Sequence, residues 1–91
     1  MANAGRIPPH DIEAEESVLG AILLDKDTII QIADVLRPEH FYVPANRDIY
    51  EAVLQLYEQR EPIDLLTLTN QLKKNKALTK VGGASYITSL A

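Results

Sequence analysis

The stretch NRDIYEAVLQLYEQ, residues 46–59, constrains the fold more than any other part of the chain. At about 100° per residue, Ile49, Tyr50, Val53, Leu54, Leu56 and Tyr57 share one face of a helix. Arg47, Asp48, Glu51, Gln55 and Glu58 share the other. Such a stripe has to be covered by other elements, and 91 residues leave room for one domain only. Truncating Val53 or Leu54 is expected to damage this core helix most.

The flanking segments supply the cover. HDIEAEESVLGAILLD reads as a helix whose Ile12, Val18, Leu19, Ile22 and Leu23 lie in one arc. Asp11 can cap it, and the acidic first turns suit the helix dipole. In KDTIIQIADVL, Ile29, Ala33 and Leu36 recur at helical spacing, with Asp25 or Asp27 as cap, until Arg37-Pro38 ends the helix. PEHFYVPA is a connector with one helical turn, over Phe41 and Tyr42. Asp64 caps LLTLTNQLKKN, whose Leu65, Leu68 and Leu72 form a buried stripe. KALTKVGG is a loop, and ASYITSLA is a final helix with Tyr86, Ile87 and Leu90 on one side. Pro8-Pro9 makes residues 1–10 a flexible lead-in. The expected fold is all-α, a compact bundle of five to six short helices over residues 11–91.

Several chemistries are poorly served. The chain has no cysteine, hence no disulfide, thiolate metal site or cysteine nucleophile. The N-terminus is not a secretory signal and no apolar run reaches a membrane span, so a cytoplasmic protein is expected. His10 and His40 lack metal-ligand spacing. After Gly82-Gly83 come Ala84 and Ser85, where a phosphate loop needs a lysine and a hydroxyl; the pair reads as a turn with one glycine at positive φ. Residues 1–45 hold three basic and eight acidic side chains (−5), and residues 46–91 hold six and five (+1). An acidic first half does not favour wrapping nucleic acid.

Four features carry a choice. Asp11, Glu13, Glu15 and Glu16 read as a solvated first turn, with partner contact as the other reading, because Glu13 and Glu16 point away from the apolar arc. Lys73, Lys74, Lys76 and Lys80 read as a solvated helix end or as a nucleic-acid contact. Gly20 lies mid-helix, opposite the core face; it is either a tolerated glycine or the close approach of another element. Tyr86 is either an interface residue or packed against the body.

Taken together, IPPHDIEAEESVLGAILLD, FYVPANRDIYEAVLQLYEQREPIDLLTLTNQL and VGGASYITSLA resemble the N-terminal domain of bacterial replicative DNA helicases, the hexameric DnaB-type enzymes. The family pattern I-E-A-E-x-x-V-L-G, F-Y with I-Y, P-I-D-L-x-T-L and G-G-x-x-Y-[IL]-x-x-L occurs in order over roughly residues 6–91. Each motif is weak and the ordered set is specific. Asn46 departs from the pattern, since family members often have histidine there.

The resemblance implies a non-catalytic head that forms part of an N-terminal collar of a homohexamer and helps dock primase. It implies a chain truncated before a helical pair, a linker and a RecA-like ATPase domain. ATP and magnesium belong to that domain, and no cofactor or metal is expected in this fragment. DNA would be contacted mainly by the same domain, and no membrane is involved. On wheel geometry and the resemblance, Glu13, Glu16, Gly20 and Tyr86 are the expected partner-binding residues; the fold is expected to need neither Glu13 nor Gly20 for burial, and Tyr86→Ala is expected to change the melting temperature little. The rival reading is a small helical nucleic-acid-binding domain that uses the lysines of residues 73–80.

Overall fold

A computed structural model describes residues 10–91. Of the lead-in expected over residues 1–10, only His10 lies among them. Five α-helices are formed: α1 (Ile12–Leu24), α2 (Thr28–Ile32), α3 (Pro44–Glu58), α4 (Leu65–Lys74) and α5 (Gly83–Leu90). A 3-10 turn at Pro38–His40 precedes α3, and no strand occurs among the described residues. The all-α reading holds. α3 packs on α1, on α4 and on the 3-10 turn, while α5 crosses to both α1 and α4.

Local chemistry sets most boundaries. The Asp11 carboxylate accepts from the Ala14 N–H at 3.1 Å and starts α1. α4 opens with a reciprocal cap: the Thr67 N–H donates to Asp64 Oδ1, and the Asp64 N–H donates to Thr67 Oγ1, both at 2.9 Å. Pro44 takes the first position of α3, where its missing N–H costs nothing. The helix therefore starts two residues earlier than the amphipathic pattern. α2 is shorter than expected, ending at Ile32 and passing through turns before Leu36. Its apolar positions still serve the core, because Ile29 and Ala33 are buried.

The core holds Leu19, Ile22, Ile49, Tyr50, Val53, Leu68, Leu72 and Ile87, all at most 1% exposed. Three expectations need correction. Leu54 is only partly buried and Tyr57 is exposed, because both stand at the edge of the α3 stripe. Leu65 is 40% exposed: it shares the arc of Leu68 but sits at the free start of α4. Gln71 is buried instead, its Nε2 donating to Gln55 Oε1 at 3.0 Å and to Asn75 Oδ1 at 3.1 Å. Asn75 Nδ2 donates to the same Gln55 oxygen at 2.7 Å, so a small amide cluster joins α3 to α4.

The ends of α3 and α4 close in the same way. Leu56 O accepts from the Glu61 N–H, and Leu72 O accepts from the Ala77 N–H, each at 2.9 Å. These are Schellman closures, with Arg60 (φ 59°) and Lys76 (φ 58°) in the left-handed position that glycine usually takes. The loop after α4 is tied down by buried Ala77 and Val81. Both glycines that follow have positive φ, 105° at Gly82 and 74° at Gly83, where one was expected.

Two measurements follow from this packing. Val53→Ala should lower stability by about 2 kcal/mol or more, and Leu54→Ala by clearly less, since the cost of truncation follows burial; urea unfolding of the two variants compares them. Lys76→Gly should raise stability by about 0.5–1 kcal/mol, a few degrees in Tm, because a left-handed strain is relieved at some cost in chain entropy.

Candidate functional site

α3 begins without a cap of its own, since Val43 has no side-chain acceptor. The acceptor comes from another helix. Glu15 on α1 receives the Tyr42 N–H at 2.6 Å through Oε2, and the Val43 N–H at 3.3 Å through Oε1. Its Oε1 also accepts from Asn46 Nδ2 at 3.0 Å. Asn46 Oδ1 in turn accepts from the Tyr86 hydroxyl of α5 at 2.7 Å. A carboxylate, an amide and a phenol thus join α1, α3 and α5 in one line. Asn46, at its centre, is 0% exposed.

The segment between the 3-10 turn and α3 is gripped from both sides. Glu15 takes its N–H groups. Arg47 takes its carbonyls, with Nε donating to Phe41 O at 2.7 Å and Nη2 to Tyr42 O at 3.1 Å. The Tyr42 ring stacks on His10, with centroids 3.8 Å apart. Phe41 is buried against Tyr50, whose hydroxyl donates to Leu36 O at 2.9 Å.

Titration follows from these contacts. Desolvation pushes the Glu15 carboxyl up, but hydrogen bonds from Asn46, Tyr42 and Val43, with His10 nearby, outweigh it, and its pKa falls below the ordinary 4.5. Tyr86 goes the other way. Burial, and then the nearby Glu16 and Glu15 carboxylates, raise its phenol above the ordinary 10.0, although the Asn46 bond opposes this.

The expected partner residues divide into two groups. Glu13 and Glu16 stand together on α1 and, with Ser17, line one wall of a shallow open cleft. Ser89 and Leu90 of α5 form the facing wall. Gly20 is buried, not displayed, because α5 covers the side of α1 that faces away from the main core. Tyr86 is turned inward onto Asn46, so its hydroxyl is engaged and its side chain is part of the packing. The expectation that Tyr86 could be removed without cost is corrected accordingly.

The acidic first turn is only partly solvated: Glu15, read there with its neighbours, is the structural one. The available signal was the uncapped Val43-Pro44 start, which needs an acceptor from elsewhere. The lysines do not form a clear strip. Lys80 pairs with Asp48 of α3 at 3.8 Å, and Lys74 shares a depression with Glu61. The amides of the glycine pair turn inward as well, Gly82 to Thr79 O and Gly83 to Leu78 O.

A family model described as "DnaB-like helicase N terminal domain" matches residues 7–91. The replicative DNA helicase DnaB of Nostoc sp. is 47% identical over 87 residues, which is 96% of this chain and 10% of that protein. The replicative DNA helicase DnaB of Leifsonia xyli is 44% identical over 85 residues, 93% of this chain and 19% of that protein. Among solved structures, the N-terminal domain of DnaB helicase from Mycobacterium tuberculosis matches with a TM-score of 0.88 and 44% identity. That match covers 92% of this chain and 58% of that one. The chain therefore spans only a small part of these curated relatives.

Asn46→Ala should cost about 1–3 kcal/mol, because it strips a partner from both Glu15 and Tyr86 in a buried place. Thermal unfolding beside Tyr86→Phe, which removes only the last bond, separates the two halves of the line. The pH dependence has a definite sign. Since the folded pKa of Glu15 is depressed, its contribution is complete above about pH 5 and is lost as pH falls through the folded value. The stability gap between the parent and Glu15→Gln should therefore narrow on acidification, as read by urea unfolding at about pH 7 and about pH 3.

Proposed function

We propose a docking role for this chain, which belongs to the DnaB-like helicase N-terminal domain family. In this reading it is a non-catalytic module of a hexameric replicative DNA helicase, forms part of the N-terminal collar and helps dock primase. ATP hydrolysis and most DNA contact are assigned to the rest of such a helicase. A cytoplasmic setting belongs to the same proposal; no helix among the described residues is long and apolar enough to cross a membrane.

The observation that carries the docking reading is the cleft between α1 and α5. Glu13 and Glu16 face Ser89 and Leu90 of α5 across it. Two carboxylates thus stand together on one side of the molecule. That side suits a partner surface bearing arginine or lysine, and a charge placed at its rim acts mainly on encounter. The nucleic-acid alternative is weaker, because Lys80 lies 3.8 Å from the Asp48 carboxylate and the chain is acidic overall, with a pI near 5.0.

Titrating primase into full-length helicase tests the reading. Glu13 is exposed, so Glu13→Lys should leave the melting temperature nearly unchanged. It should weaken primase binding about tenfold at low salt, and less as salt rises. Parent-like affinity in that variant would place the docking face elsewhere.

A further inference from the structure

We infer that Gly20 is a positioning residue for the α1–α5 cleft: its missing side chain, not any surface it offers, sets where the end of α5 stands relative to Glu13 and Glu16. The inference rests on the docking reading of that cleft. α5 is held at two points. Near its middle, the Tyr86 hydroxyl is bound to Asn46, beside the fully buried Ile87. At its end, the Leu90 backbone lies directly on Gly20.

A Cβ built on Gly20 would overlap the Leu90 carbonyl oxygen. That oxygen is main chain and cannot rotate away as a side chain could. Any other residue at position 20 therefore pushes the last turn of α5 off α1. Gly20 has helical backbone within α1, so no left-handed conformation calls for glycine there. The close approach is what requires it. Glu13, Glu16 and Ser17 lie within two turns of Gly20 on the same helix, and Ser89 and Leu90 form the opposite wall. The width of the cleft is thus tied to the contact at Gly20. A shift of about an ångström there would misalign a bound partner while leaving every carboxylate in place.

The test uses full-length helicase, with primase as the probe and both association and dissociation rates recorded. Gly20→Ala should weaken binding about tenfold, mainly through faster dissociation, whereas Glu13→Lys should act mainly on association. Leu72→Val, buried in α4 and outside the cleft, serves as a stability control: it should lower the melting temperature and leave affinity within about twofold. Thr88→Pro loosens the last turn of α5 without adding an atom against α1, and it should reproduce the Gly20→Ala loss even if that variant folds poorly. Two results would overturn the positioning role and leave the docking reading standing. One is a loss with Glu13→Lys but parent-like dissociation in both Gly20→Ala and Thr88→Pro. The other is a loss with Leu72→Val equal to theirs. If Glu13→Lys itself binds as the parent does, the docking reading fails and takes this inference with it.

Discussion

Val43 offers α3 no side-chain cap, and the fold is arranged around Glu15, which takes the N–H groups of Tyr42 and Val43 just before that helix. Glu15 arrives from α1 with a full charge, and the N-terminus of α3 is where a negative charge is best received. The same carboxylate holds Asn46, and Asn46 holds Tyr86. Thus one side chain fixes the angle of α1 against α3 and, through the amide, the place of α5. The apolar core alone would tolerate some sliding among these helices, since burial has no direction. Hydrogen bonds at 2.6–3.3 Å do not tolerate it.

The cleft between α1 and α5 depends on that arrangement. Its α1 wall is continuous with the helix that carries Glu15, and its α5 wall is pinned at Tyr86 and Leu90. Both walls therefore stand on helices whose spacing is set from inside. Charge follows the same division. Eight acidic side chains fall in the first 45 residues, two of them on the wall of the cleft, while four lysines gather between residues 73 and 80. One of those lysines, Lys80, lies 3.8 Å from Asp48 of α3.

How much of this could be read from the sequence varies with the range of the interaction. The α3 stripe was visible because Ile49, Tyr50, Val53 and Leu56 repeat at a helical period. The caps at Asp11 and Asp64 were visible because a cap acts within three residues. Glu15 and Asn46 were not, because they meet across 31 positions and each looks ordinary in its own helix. A helical wheel also assumes one buried face. α1 has two, and the second is covered by α5, so Gly20, opposite the main core, meets the close approach of another element that was one of its two readings. Leu65 shows the opposite limit: a residue in the right arc stays exposed when its helix turn extends past its neighbour. Family membership was legible for a different reason, since it depends on four short motifs in order and not on any contact.

The amide at the middle of the line also fixes a direction. Asn46 presents its NH2 to a carboxylate and its oxygen to a hydroxyl, so turning it over would set its oxygen against the carboxylate, acceptor against acceptor. Its side chain has no proton to gain or lose in the physiological range. A histidine at this position could also donate from one ring atom and accept at the other, but only while neutral. Beside an ionised glutamate it would tend to take up a proton, and its acceptor would then become a second donor facing the phenol. With asparagine, the junction of three helices is silent to acid at its centre. Its response to pH is confined to the two ends of the line, the carboxyl below neutrality and the phenol far above it.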